Sequence, residues 1–90
     1  MFRFKRSIPV EYSRQGYIYF VSKRYKELTA AERRQLRELC RKAGGEYHQA
    51  LLEYVTTENG AAAICTKYYL SISTLERLVR RYYIAFDRTV

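Results

Sequence analysis

One spacing recurs along this chain and limits what it can fold into. Leu36, Leu39, Cys40 and Ala43 fall at i, i+3, i+4 and i+7, and Leu75, Leu78, Val79 and Tyr82 repeat the interval near the other end. At about 3.6 residues per turn each set lines one side of a helix, and each such stripe needs a partner to cover it. Between them Tyr47, Ala50, Leu51, Tyr54 and Val55 also share one helical face. In a chain of 90 residues these stripes can meet in one modest core, with no room for a second.

Start and stop residues place the helices. The first is expected over residues 30–43, because Thr29 and Glu32 stand at capping-box spacing and Gly44 tolerates the left-handed conformation in which many helices end. The next is expected over 46–55, and the short Gly44-Gly45 link makes it a packing neighbour of the first. A third, alanine-rich helix runs from Gly60 or Ala61 to Tyr68, opened by Thr57 or Asn59. The last begins at Ser71 or Ser73, the latter three residues ahead of Glu76, and extends to about Ala85.

Residues 1–28 read differently. Ile8, Val10 and Tyr12 lie ahead of the turn-like "SRQG", and "YIYFV" follows, which suggests two extended pieces with Pro9 holding the first to an edge. A short β-hairpin, or an arm that orders on a partner, is expected there. The fold class is therefore mainly α: one domain, a small helical bundle with a three-helix core over 46–85, a supporting helix over 30–43, and an N-terminal arm or hairpin.

Seventeen Lys and Arg against nine Asp and Glu give a formal charge of +8. That balance is the electrostatic footprint of a nucleic-acid binder, although ribosomal and membrane-surface proteins share it. No apolar run approaches the roughly 18 residues that span a bilayer, and the N-terminus lacks the pattern of a secretory signal, so a cytoplasmic protein with no membrane partner is expected. Cys40 and Cys65 form no CxxC pair and His48 is the only histidine, so reduced thiols and no metal site are expected. Paired carboxylates, a Ser/His/Asp set and a phosphate-cradling Gly loop are all missing, which argues against catalysis, a cofactor or a small-molecule substrate.

Residues 61–80 resemble the helix-turn-helix signature. Ile64, Cys65 and Tyr68 take inward positions of the first helix, Leu70 the apolar turn position, Ser71 the cap, and "STL" with Leu78 completes the second helix. The turn position usually held by Gly is Tyr69, so a side chain must either bear positive φ or impose another geometry. With Leu75, Leu78 and Tyr82 inward, the last helix presents Ser73, Glu76, Arg77 and Arg80 outward, with Ser71 and Ile72 at its exposed start. These six are the expected base contacts, Glu76 either accepting from cytosine or orienting Arg80 at i+4. Thr66, Lys67 and Arg81 are the expected phosphate contacts. Arginine near a helix C-terminus is also favoured with no ligand present, so this face has a bland reading too.

The longer run over 43–83, through "GGEY", "ALLEYVTT" and "STLERLVRRYY", looks like small helix-turn-helix proteins carried by prophages and integrative conjugative elements of Gram-positive bacteria. The resemblance implies non-catalytic double-stranded DNA binding for a mobile element, in transcription regulation or as an accessory factor in recombination and excision. Two other readings stay open: a protein-interaction module that binds RNA polymerase or a phage regulator, and a single-stranded nucleic-acid binder in which Tyr69 and Tyr83, partly exposed, stack on bases. Monomer and homodimer are equally compatible with the sequence.

Overall fold

A computed structural model describes residues 4–89 of the chain. Among them lie five α-helices, α1 (Tyr12–Lys23), α2 (Ala30–Gly44), α3 (His48–Thr56), α4 (Ala61–Tyr68) and α5 (Ile72–Thr89), and no strand. Two single 3-10 turns, Tyr25–Glu27 and Gly45–Tyr47, lead into α2 and α3.

The capping box that opens α2 is closed from both sides. Glu32 N donates to Thr29 Oγ1 at 3.1 Å and Thr29 N donates to Glu32 Oε1 at 2.9 Å, so two otherwise orphaned donors are satisfied. The apolar stripe Leu36, Leu39, Cys40 and Ala43 is buried, as its spacing requires. The left-handed stop falls one residue later than expected: Gly44 is the last helical residue with φ −97°, and Gly45 takes φ 55°. A β-carbon on Gly44 would meet Leu51 Cδ2 at 3.4 Å, an ordinary van der Waals contact, so packing does not demand glycine there. The 3-10 turn then uses residues 45–47, which moves the start of α3 from the expected 46 to His48.

α5 carries the widest buried face, Leu75, Leu78, Val79, Tyr82, Tyr83 and Phe86. Removing a side chain of this kind from water stabilises by about 1.5–3 kcal/mol, so this helix organises the core. It continues to Thr89, past the expected end at Ala85, because Phe86 still packs inward. Tyr83, expected to be partly exposed, is buried. Cys40 is buried and Cys65 half-buried, both as free thiols, and burial pushes the Cys40 thiol up to about 12.

The expected hairpin is overturned. Residues 12–23 are helical, and the inward positions of α1 are Gln15, Ile18 and Ser22, of which only one is apolar. Tyr12, Tyr17 and Phe20 stand instead on its exposed side, so the usual binary pattern is inverted and the helical period is concealed. Burying Gln15 is made tolerable by complete hydrogen bonding. The two hydrogens of its Nε2 serve the carbonyls of Lys5 (3.0 Å) and Val10 (3.0 Å), with Ile8 sharing one of them at 3.3 Å, and its Oε1 accepts from Lys5 N at 2.9 Å. The segment ahead of α1 is thus clamped rather than loose, with Ile8 and Val10 inserted into the core. Residues 1–3 of the expected arm lie outside the described residues.

Among the described residues no helix is long and apolar enough to cross a membrane.

Candidate nucleic-acid interface

α4 and α5 are joined by three residues, and the backbone at that corner is specific. Tyr69 adopts φ 58° and ψ 48°, the left-handed region, and is the only non-glycine with positive φ among the described residues. The fold absorbs the cost of placing a side chain there, ~1–2 kcal/mol, in return for two donors satisfied at the end of α4. Both Tyr69 N and Leu70 N are aimed at the Cys65 carbonyl, the latter at 3.1 Å. Leu70 folds back against the core, while Tyr69 stays 91% exposed.

Ser71 then opens α5. Its hydroxyl oxygen accepts from Thr74 N at 3.1 Å and its carbonyl accepts from Leu75 N at 3.0 Å. Ser73 is therefore not the cap. The Ser71 hydroxyl also donates to Thr74 Oγ1 at 2.9 Å, so Ser71 serves the helix start before it can serve a ligand.

At about 100° per residue the face opposite the buried stripe of α5 carries Ser73, Arg77, Arg80, Arg81 and Arg88. Ser71, Ile72, Ser73, Glu76, Arg77 and Arg80 are all exposed, so the six expected base contacts are accessible, with Ile72 and Glu76 also lining a groove against the N-terminal segment. They are not equivalent. Arg77 makes no ion pair or side-chain hydrogen bond with another described residue, whereas Arg80 Nε donates to the Ser7 carbonyl at 3.1 Å. The alternative that Glu76 orients Arg80 is not what forms: the guanidinium turns to the N-terminal segment.

The expected phosphate contacts separate further. Thr66 and Lys67 are exposed on α4, but Lys67 Nζ is 2.8 Å from Glu53 Oε1 of α3. Glu53 also accepts from Tyr68 Oη and Asn59 Nδ2, each at 2.8 Å. The Lys67 hydrogen bond first, and the Tyr68 one next, hold the Glu53 carboxyl below its usual range, and the same pairing raises Lys67. Arg81 belongs to another cluster, lining a shallow depression with Lys42, Ile84 and Arg88 where the end of α2 meets α5.

Two basic residues on this side went unweighed in the sequence. Lys5 and Arg6 are exposed, and a groove of ≈ 310 Å³ between their segment and α5 is lined by Lys5, Ser7, Ile8, Ile72, Glu76 and Val79. The run "FKR" was the available signal, masked by its inclusion in the expected hairpin. A neighbouring cleft of ≈ 300 Å³ holds Tyr19, Lys23, Tyr54 and Tyr83. Lys23 is occupied structurally there: its ammonium donates to the carbonyls of Tyr54, at 3.2 Å, and Thr57, capping the end of α3. Burial lowers the Lys23 pKa, and Glu58 works in the opposite direction.

Comparisons with known proteins return no match: no family model, curated protein or solved structure is significantly similar to this chain.

Proposed function

We propose that the chain is a non-catalytic double-stranded DNA-binding protein in which α4, the Tyr69 corner and α5 act as a helix-turn-helix on the three-helix core completed by α3. More particularly, it serves a mobile element, as a transcription regulator or as an accessory factor in recombination or excision, in the cytoplasm. One observation supports the first step: a left-handed corner and the Ser71 cap open α5, and Ile72, Ser73, Glu76 and Arg77 in its first turns are exposed. Eighteen residues at about 1.5 Å each make α5 some 27 Å long, ample for a major groove about 12 Å wide. The net charge of +8 supplies the sequence-independent attraction. The mobile-element step rests on the sequence resemblance of residues 43–83 alone.

The experiment is equilibrium binding to mixed-sequence duplexes at about 50 and 200 mM salt, where counterion release predicts a fall in affinity of at least tenfold for several phosphate contacts. Absence of duplex binding at the lower salt contradicts the reading.

A protein-interaction module is the second reading, favoured by the exposed aromatic side of α1, where Tyr12, Tyr17 and Phe20 are 65%, 47% and 57% accessible. Its binding would change little with salt, which separates the two. The single-strand reading loses half of its stacking pair, since Tyr83 is buried on the inward face of α5.

A further inference from the structure

Residues 4–11 have no regular secondary structure, yet they are fixed at three points. Gln15 grips the backbone at Lys5, Ile8 and Val10 from inside. Ile8 and Val10 are 3% and 5% exposed, which anchors the segment through apolar contact. The third point lies outside: Arg80 reaches from α5 to the Ser7 carbonyl. A β-turn, Ile8 N to Lys5 O at 3.1 Å, closes residues 5–8 between these anchors.

The consequence is that the basic residues of this turn stand beside α5. Lys5 and Arg6 project from this turn, Arg77 and Arg80 from the adjoining edge of α5, and none of the four makes an ion pair with a described residue. Arg14, Arg24, Arg41 and Lys67 each have a carboxylate partner, whereas Arg33, Arg34, Arg37, Arg81 and Arg88, like the four at the turn and α5, make no ion pair with a described residue. Cations held near one another repel, although Glu76 lines the groove beside Lys5, and a polyanion laid across them relieves that repulsion and releases its own counterions.

We propose that the clamped turn over residues 5–8 is a second DNA contact, in which Lys5 and Arg6 bind phosphates flanking the groove that receives α5, and that Arg80 is a positioning residue that holds the turn there. This rests on the DNA-binding reading above and goes beyond it in two respects. It adds two residues that the corner and α5 do not supply, and it removes Arg80 from the base-reading set. A guanidinium committed through Nε to its own chain must break that bond before it can swing to a base edge. Arg77, with no such commitment, is left as the arginine free to read.

The test is anisotropy titration of the full chain against a duplex of about 20 base pairs over a salt series, with the parent, the K5A/R6A double variant, R80A and R80K. Each phosphate contact contributes about 0.9 to the slope of log affinity against log salt. K5A/R6A is therefore expected to flatten the slope by about 1.8 and to weaken low-salt binding at least tenfold on every sequence alike. R80A is expected to weaken binding without changing which sequences are preferred, and R80K to restore most of it, since an ammonium can still donate to the Ser7 carbonyl. Circular dichroism melting checks folding, and both substituted residues of the double variant are exposed. A parent that binds together with an unchanged slope in K5A/R6A overturns the second contact alone. Loss of sequence preference in R80A, unrepaired in R80K, overturns the positioning role. A parent that binds no duplex overturns the DNA reading itself.

Discussion

The hydroxyls of Ser22 and Tyr82 meet at 2.6 Å inside the core and tie α1 to α5 across sixty residues of chain. Ser22 Oγ also lies 2.7 Å from the Ile18 carbonyl, which can only accept, so Ser22 donates to Ile18 and Tyr82 donates to Ser22. This order makes the two partners unequal. Ser22→Ala strands the Tyr82 hydroxyl in an apolar site and is expected to cost about 2 kcal/mol, whereas Tyr82→Phe leaves Ser22 satisfied and costs about 1 kcal/mol. Urea denaturation of both single variants and the double variant checks this: the double should lie close to Tyr82→Phe, not near the sum.

Alkaline stability follows from the same burial. Desolvation raises the pKa of Cys40, to about 12, and those of Tyr82 and Tyr83. A raised folded pKa means that the unfolded chain releases its proton first, so the stabilisation is complete below the unfolded pKa and is lost as pH rises above it. The fall should begin near pH 9, where an unfolded thiol ionises, and steepen above pH 10, by about 1.4 kcal/mol per pH unit for each group fully ionised only when unfolded. Chemical denaturation between pH 7 and pH 11 measures it, and a flat profile would show these groups to be wetter than their packing implies.

On the acid side the sign reverses. The Lys67 hydrogen bond, with those of Tyr68 and Asn59, depresses the Glu53 carboxyl, so its contribution is present above the unfolded carboxylate range and is lost as pH falls through the folded value. Lys67→Ala removes the largest cause. NMR titration of the Glu53 side-chain carbon should then move its midpoint upward, toward the ordinary value.

Tyr69 bears positive φ with a side chain that packs on almost nothing, being 91% exposed. Tyr69→Gly is expected to stabilise by ~1 kcal/mol, because strain in the left-handed region is relieved and little contact is lost. Tyr69→Val, branched at the β-carbon, should do the opposite. Thermal melts of the pair rank the corner directly.

How much of this was legible in the sequence depended on whether inward positions were apolar. α2 and α5 could be read because Leu36, Leu39, Cys40 and Ala43, and Leu75, Leu78, Val79 and Tyr82, are the buried positions of their helices, and because Thr29 and Glu32 meet the capping-box spacing. α1 could not, because Gln15 and Ser22 face inward while Tyr12, Tyr17 and Phe20 face out. Those polar positions are satisfied by Lys5, Ile8, Val10 and Tyr82, and the Tyr82 contact is long-range, which no local period reveals. Two adjacent glycines hid which one takes positive φ, and it is Gly45. The candidate site was legible in its outward register on α5 but not in its pairings. Arg80 and Ser7 are 73 residues apart, and Lys67 meets Glu53 through the packing of α4 on α3.

The reading of α5 as a DNA-recognition helix turns on Arg77, an exposed arginine in its first half that makes no ion pair or side-chain hydrogen bond with a described residue. The direct measurement is selection of duplexes by the parent chain, followed by affinity for a selected and a scrambled duplex with the parent and Arg77→Ala. The expected result is an enriched sequence, a loss of about 1–3 kcal/mol on it in the variant, and nearly unchanged affinity for the scrambled duplex. Failure of the parent to enrich any sequence, or an Arg77→Ala variant that holds the selected duplex as tightly as the parent, would contradict it.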